Sequence, residues 1–398
     1  MAVVENSLLI AMNCKDEMNI REWVLFHSIM GMTKDDCLLI FDDMSETPVE
    51  EILHTKHWEW RSDIQPHVEI VRLHEGKHVY INRAIEFAKE RGVMWMMYID
   101  ADEYLYIPLQ FDHNIKKFLK ETVLQAAPMM VHGIAFFWRY FGSCHLEENP
   151  FPGQCISVYH KCSRSISLKQ KTMIRVERAA YCMSPHHYAF DRSKLNGTEN
   201  GHLLYVPLLG YTIPNVAQLR APEHKSLIYD LQSNLAVRPG GEFLAHYSNQ
   251  SWKCFCRRRR RPRDDTGEIR SYSYSIQEGA PSTETFHTQH NDMDCDSVLR
   301  MFFHNIQRML QIIDPGCNAP LQSFNDLIMK TKEKRVLHKL HKHGGEGIGK
   351  LENGSEESEG SEKTVAGGIE GGDLHGSVEL SECVEGQEVA EAVEGAGH

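Results

Sequence analysis

The feature that most constrains this chain is a spacing. Short apolar runs begin near residues 7, 37, 67 and 94, about 30 residues apart, with helix-patterned stretches between them. A strand, a crossover helix and a second strand need roughly 30 residues. The runs at 7–13, 37–41 and 94–99 are almost continuously apolar, while 67–73 alternates. Ile20, Trp23, Val24 and His27 recur at helical spacing within 17–32, and 50–60 and 79–91 also read as helices. Continuous apolar strands separated by helices predict an α/β fold, with a mostly parallel central sheet carrying helices on both faces. In such sheets ligands bind beyond the carboxyl ends of the strands.

After Leu105 the alternation ends. Strands are expected over 130–138 and 172–176, now with Gly, Pro and His between them, which predicts an irregular half. A helix is expected over 297–313 and a basic helical end over 332–343. From Gly344 the composition changes: that stretch holds 14 of the 28 glycines, 14 acidic residues, 2 basic residues and no aromatic residue. It cannot bury enough apolar surface to offset the entropy of ordering, so it reads as a disordered acidic tail. The formal net charge of −12 resides there, because the first 343 residues hold 41 of the 55 acidic and 41 of the 43 basic residues. A neutral body argues against a dedicated nucleic-acid binder. No run of about 18 apolar residues is present, so no transmembrane segment is expected. The N-terminus lacks signal-peptide features. The expectation is a soluble cytoplasmic or membrane-peripheral protein, or a secretory-lumen protein if an N-terminal anchor is missing from this chain. None of the eleven cysteines forms a Cys-x-x-Cys pair. Buried reduced thiols are expected, with disulfides among Cys144, Cys155, Cys162 and Cys182 as the alternative.

Carboxylates follow two of the apolar runs. Asp42 and Asp43 come after 37–41, and Asp100-Ala101-Asp102-Glu103 after 94–99. Two acids two positions apart at a strand end share a face. Such a pair suits a hard divalent cation, Mg²⁺ or Mn²⁺, that also takes phosphate oxygens. A solvated acidic turn is the competing reading. The run Arg257 to Arg261 reads as a nucleic-acid patch or as a solvated helix face.

Ordered motifs sharpen this picture. Met12-Asn13-Cys14-Lys15-Asp16-Glu17 precedes Arg21-Glu22-Trp23, and Leu39-Ile40-Phe41-Asp42-Asp43-Met44-Ser45 follows. Then come Asn82-Arg83-Ala84-Ile85, Trp95, Ile99-Asp100-Ala101-Asp102-Glu103-Tyr104, Phe137-Trp138, Phe141-Gly142-Ser143, Lys171 to Arg175, Pro185-His186-His187 and Ala245-His246-Tyr247 with Ser251-Trp252. In this order the motifs, over roughly residues 7 to 310, resemble the family-2-like and family-92-like glycosyltransferases of GT-A fold. The chain departs from that pattern at Asp16, where Asn is usual, at Gln250, where Lys is common, and at Asp42-Asp43-Met44.

The resemblance implies a GT-A-like domain over 1–295, which leaves a helical extension over 296–343 and the compositional tail over 344–398. It implies metal-dependent transfer of a sugar from a nucleotide-sugar donor to a hydroxyl of a glycan or glycoconjugate acceptor, with Mn²⁺ or Mg²⁺ as cofactor. Asp102 would ligate the metal directly, and Asp100 would ligate it or reach ribose or metal-bound water. His246 would complete the metal site, a core histidine being the competing reading. Glu17, Asp42 and Asp43 would lie in the nucleotide-sugar site. Base candidates in the irregular half are Glu147, Glu148, His186, His187 and Asp191. The rival readings are a phosphoryl or nucleotidyl transferase using the same Asp-x-Asp site, and a nucleic-acid-binding protein using Arg257 to Arg261.

Overall fold

The computed structural model describes residues 7–54, 65–125, 132–184, 187–190, 203–206, 211–214, 241–259 and 283–313. All of them belong to one compact unit, Met1–Ile328. The helix expected over 332–343 and the acidic tail lie outside the described residues.

The chain opens with β1 (Leu8–Cys14), α1 (Ile20–Ile29), β2 (Cys37–Asp42), α2 (Val49–Leu53), β3 (His67–Arg72), α3 (Lys77–Glu90), β4 (Trp95–Tyr98) and β5 (Glu103–Tyr106). It continues through α4 (Ile115–Gln125), β6 (Gly133–Tyr140), β7 (Lys161–Cys162), β8 (Ser167–Arg175), β9 (Ala179–Ser184) and β10 (His187–Phe190). The last described elements are β11 (Leu203–Val206), β12 (Tyr211–Pro214), β13 (Phe243–His246), α5 (Trp252–Arg259), α6 (Thr283–Thr288), β14 (Met293–Asp294) and α7 (Ser297–Ile313). Each expected strand and helix within the described residues is present, with ends shifted by a few residues.

The central sheet runs β12-β11-β6-β8-β4-β1-β2-β3, and β13 pairs with both β5 and β6. β3, β2, β1 and β4 are all parallel neighbours, with Leu9 opposite Cys37 on one side and Met96 on the other. β8 then enters antiparallel between β4 and β6. The sheet is therefore mixed α/β: a Rossmann-like parallel half, as expected of a GT-A fold, joined to a half with antiparallel pairs.

The continuity of the apolar runs has a simple cause: both faces of the sheet are covered. Leu8, Ile10 and Met12 of β1, Leu38 and Ile40 of β2, and Trp95 and Met97 of β4 enter one core, with Trp23 and Phe26 of α1 and Phe118 of α4. Leu9, Ala11, Leu39, Phe41, Met96 and Tyr98 enter the other, against Tyr80, Ile81, Ala84 and Ile85 of α3. α7 belongs to the first core through Val298, Leu299 and Met301, and Phe302 stacks on Phe26 of α1 at 5.9 Å between ring centroids. The nine described cysteines are all free, seven of them buried. No helix among the described residues is long and apolar enough to cross a membrane.

Candidate active site

β4 stops at Tyr98, so Asp100 and Asp102 stand in the turn leading to β5 rather than on a strand. The alternation of a strand therefore does not aim them, and their side chains meet different partners. Asp100 accepts from Lys77 Nζ at 2.5 Å through one oxygen and from Lys171 Nζ at 3.0 Å through the other. Its own N–H donates to Glu103 Oε2 at 2.7 Å. Lys171 on β8 is fully buried and also lies 3.5 Å from Glu103 Oε2. Burial pushes Asp100 toward protonation, but Lys171 and Lys77 outweigh it and hold the carboxyl well below the usual range. Glu103 has the opposite balance: burial pushes it up to about 7, against the pull of Lys171 and with the help of Asp100. Lys171 stays charged, because Asp100 and Glu103 outweigh the burial that would neutralise it.

Asp102 faces another way. Its Oδ2 lies 3.6 Å from His246 Nε2, with both side chains largely covered. The two residues are 144 positions apart in the chain. β13 closes that distance by pairing antiparallel to β5 and parallel to β6, placing His246 opposite both Glu103 and Tyr140. Two backbone bonds lock the junction: Tyr247 N–H donates to Asp102 O and Phe141 N–H to His246 O, both at 2.9 Å. The imidazole packs against Trp138 and Tyr140, at 4.3 and 5.3 Å between centroids. Its buried Nδ1 has no hydrogen-bond partner among the described residues.

This pair fits a divalent cation. At 3.6 Å the nitrogen and oxygen are too far apart for a good hydrogen bond. They are within the span of two ligand bonds of about 2.0–2.2 Å each. One carboxylate oxygen and one imidazole nitrogen also form a donor set that Mn²⁺ accepts. Among the described residues no group of three or more His, Cys, Asp or Glu side chains is gathered for a metal.

The other expected residues are placed as follows. Asp42 is buried, and its two oxygens accept from Ser45 N–H at 2.9 Å and Val49 N–H at 3.2 Å, closing the turn into α2. Asp43 is buried and accepts from Tyr80 Oη at 3.0 Å, with His74 Nδ1 at 2.5 Å and Lys15 Nζ at 3.8 Å. Glu17 is half-buried in the loop between β1 and α1. Thus Glu17, Asp42, Asp43, Asp100 and Asp102 all lie at or just beyond the carboxyl ends of β1, β2 and β4. Glu148 forms an exposed ion pair with Lys253 at 2.7 Å, and Glu147 is half-buried beside it. His187 begins β10, while His186 and Asp191 lie outside the described residues. Arg257 is exposed on α5; the remainder of the arginine run either continues that helix or lies outside the described residues.

Four residues of this site carried no role from sequence reasoning: Lys77, Lys171, Glu103 and Glu22. Glu22 Oε1 accepts from Cys155 N–H at 2.7 Å, Ile156 N–H at 3.2 Å and Tyr104 Oη at 3.1 Å. A charged residue in a short motif was the only signal for Glu22 and Lys171, and nothing local marked Lys77.

No family model matches the chain, and no curated protein matches it. Among solved structures, Staphylococcus aureus TarS (residues 1–349) is similar at 15% identity and a TM-score of 0.25, over 43% of this chain and 47% of TarS. The same protein in complex with UDP-GlcNAc gives 15% identity and a TM-score of 0.26, over 43% of this chain and 45% of TarS. A putative glucose-1-phosphate thymidylyltransferase from Bacillus anthracis is similar at 9% identity and a TM-score of 0.24, over 62% of this chain and 87% of that one. The chain thus spans under half the length of the TarS structures it matches. Likenesses this slight carry no argument about what the chain does.

Proposed function

We propose that this protein transfers a sugar from a nucleotide-sugar donor to an acceptor hydroxyl, with a divalent cation, Mn²⁺ or Mg²⁺, held by Asp102 and His246. The observation that carries the reading is the meeting of Asp102 and His246 at the carboxyl edge of parallel strands, where α/β sheets bind ligands. When bound, such a cation neutralises the charge that develops on a departing nucleoside diphosphate. The protein's own part is to hold the two donors rigidly. Asp102 is fixed through its backbone to Tyr247, and His246 is wedged between Trp138 and Tyr140. Lys77 and Lys171 each pair with one oxygen of Asp100, which keeps that carboxylate ionised and fixes the turn that carries Asp102. Glu17, Asp42 and Asp43 lie toward the nucleoside end of the same edge.

The test is a panel of uridine, guanosine and cytidine diphosphate sugars with Mn²⁺, following release of the nucleoside diphosphate with and without chelator. Release that depends on Mn²⁺ is expected, and full release in excess chelator would remove the metal from the mechanism. Asp102→Ala should abolish release. His246→Ala should weaken Mn²⁺ binding at least about tenfold, the loss typical even of residues that only support a ligand. If His246→Ala binds Mn²⁺ and turns over like the parent, His246 is a core histidine. Release of a sugar 1-phosphate instead, with the nucleoside monophosphate passed on to the acceptor, would point to a nucleotidyl transferase.

A further inference from the structure

We infer that Glu22 is a positioning residue of this site, holding the turn that carries Asp102 to the loop over which the His246 segment packs. The inference rests on the functional reading above. Residues 142–160 contain no helix or strand, so no ladder fixes that loop against the carboxylate turn. Side-chain bonds must do so, and Glu22 makes three at one oxygen: to the Cys155 and Ile156 N–H groups and to Tyr104 Oη.

Tyr104 leads back to the proposed metal ligands, and Cys155 to the segment that follows His246. Tyr104 stands two residues after Asp102, and its hydroxyl also accepts from Asn19 Nδ2 at 2.8 Å. Asn19 Nδ2 donates in turn to Ala101 O, inside the Asp-x-Asp turn, at 2.8 Å. The Tyr104 ring meets Tyr247 edge to face at 5.4 Å, and Tyr247 follows His246 directly. On the loop side, Cys155 Sγ accepts from Gln250 Nε2 at 3.4 Å, and Ser251 N–H donates to Tyr159 Oη at 3.0 Å. The path from Glu22 through Tyr104 to Asp102 and the path through Cys155 to Gln250 therefore close around the Asp102–His246 pair. A second contact tightens the same loop: Gly153 has φ +85°, and a Cβ there would sit 2.9 Å from Met18 O, just before α1.

Three donors on one oxygen suit a carboxylate, which is a strong acceptor. Glu22 Oε2 has no partner among the described residues, so a glutamine at this position would keep the accepting oxygen and turn its NH₂ into the same space. That makes Glu22→Gln the conservative control and Glu22→Ala the disruptive variant. Supporting residues of this kind typically set metal affinity by roughly 10–100-fold without touching the ion.

The experiment measures Mn²⁺ affinity by calorimetry with uridine diphosphate present, together with hydrogen exchange of the 154–158 peptide, in the parent, Glu22→Ala and Glu22→Gln. Glu22→Ala is expected to bind Mn²⁺ roughly tenfold more weakly and to exchange the Cys155 and Ile156 amides faster. Glu22→Gln is expected to restore most of both. Parent-like Mn²⁺ binding by folded Glu22→Ala overturns the inference, as does a glutamine variant as weak as the alanine one, since the charge would then be acting directly. If Glu22→Ala fails to fold, Tyr104→Phe removes the bridging hydroxyl alone. It should weaken Mn²⁺ binding in the same direction, and an unchanged affinity there overturns the inference. The parent separates the two claims: no Mn²⁺ binding by the parent brings down the functional reading and the inference together, whereas binding by the parent with no effect of either variant brings down the inference only.

Discussion

Lys171 shows how much one residue holds in this protein. Its ammonium is buried with two carboxylates, at 3.0 Å from Asp100 and 3.5 Å from Glu103. Lys171→Met would leave both acids without that charge. A loss of about 3–5 kcal/mol, the cost of breaking a buried pair from one side, is expected in urea unfolding; a loss below 1 kcal/mol would mean Lys77 alone suffices. Asp42 has a double reading. Its oxygens close the turn into α2, so Asp42→Ala should cost about 1–3 kcal/mol of stability without any nucleotide. Weaker nucleotide binding at unchanged stability would instead favour a direct contact. Glu22 gives a pH signature. Burial pushes its carboxyl from the ordinary 4.5 up to about 7, against the three donors that favour the charged form. The folded value lies above the unfolded one, so the native state holds the extra proton between pH 4.5 and about 7. The Glu22 contribution is then present at low pH and is lost as pH rises through that window, at no more than about 1.4 kcal/mol per unit. Subtracting the Glu22→Gln profile from the parent profile isolates this slope, and a flat difference would show that the carboxyl titrates normally.

At the scale of elements, the decisive piece is β13. Four residues long, it is too short to show a period, yet it pairs with both β5 and β6 and carries His246 to Asp102. β4 was legible as an apolar run, but its end was not: the strand stops at Tyr98, and the turn at 101–102 sends Asp100 and Asp102 to different partners. The stretch after β6 is held from outside. A Cβ at Gly142 would lie 2.4 Å from Asn291 Oδ1 and 2.6 Å from His290 O. Asn291 Oδ1 also accepts the Cys144 N–H at 2.9 Å. Gly142→Ala should therefore displace the 287–291 segment and lower the melting temperature by several degrees, the size of shift expected for about 1–3 kcal/mol of overpacking. A variant melting with the parent would show that this segment yields freely.

On the whole molecule, charge is the most uneven property. Deleting 344–398 takes the formal net charge from −12 to zero and removes no aromatic residue. The truncated protein is expected to keep its melting temperature and its nucleotide affinity, while its isoelectric point rises toward neutrality. A drop of many degrees in thermal unfolding would show that the acidic stretch packs on the body.

Sequence alone determined the parallel half of the sheet, because burial on both faces makes nearly every position of β1, β2 and β4 apolar, Asn13 and Asp42 near the carboxyl ends excepted, and that pattern is local. It also marked the acidic turn after β4, since a cluster of carboxylates beyond a buried strand is visible in a few consecutive residues. It did not determine what those carboxylates meet. Lys77, Lys171 and Glu22 lie 23, 71 and 82 residues from their partners Asp100, Asp100 and Tyr104, and across the 144 residues from Asp102 to His246 only the resemblance, not the residue pattern, linked the two. A lysine that is buried only because two acids surround it reads, in one dimension, like any lysine on a strand. Whether a charge is solvated, paired or poised to hold an ion depends on what the chain folds over it, and that is decided by tertiary packing.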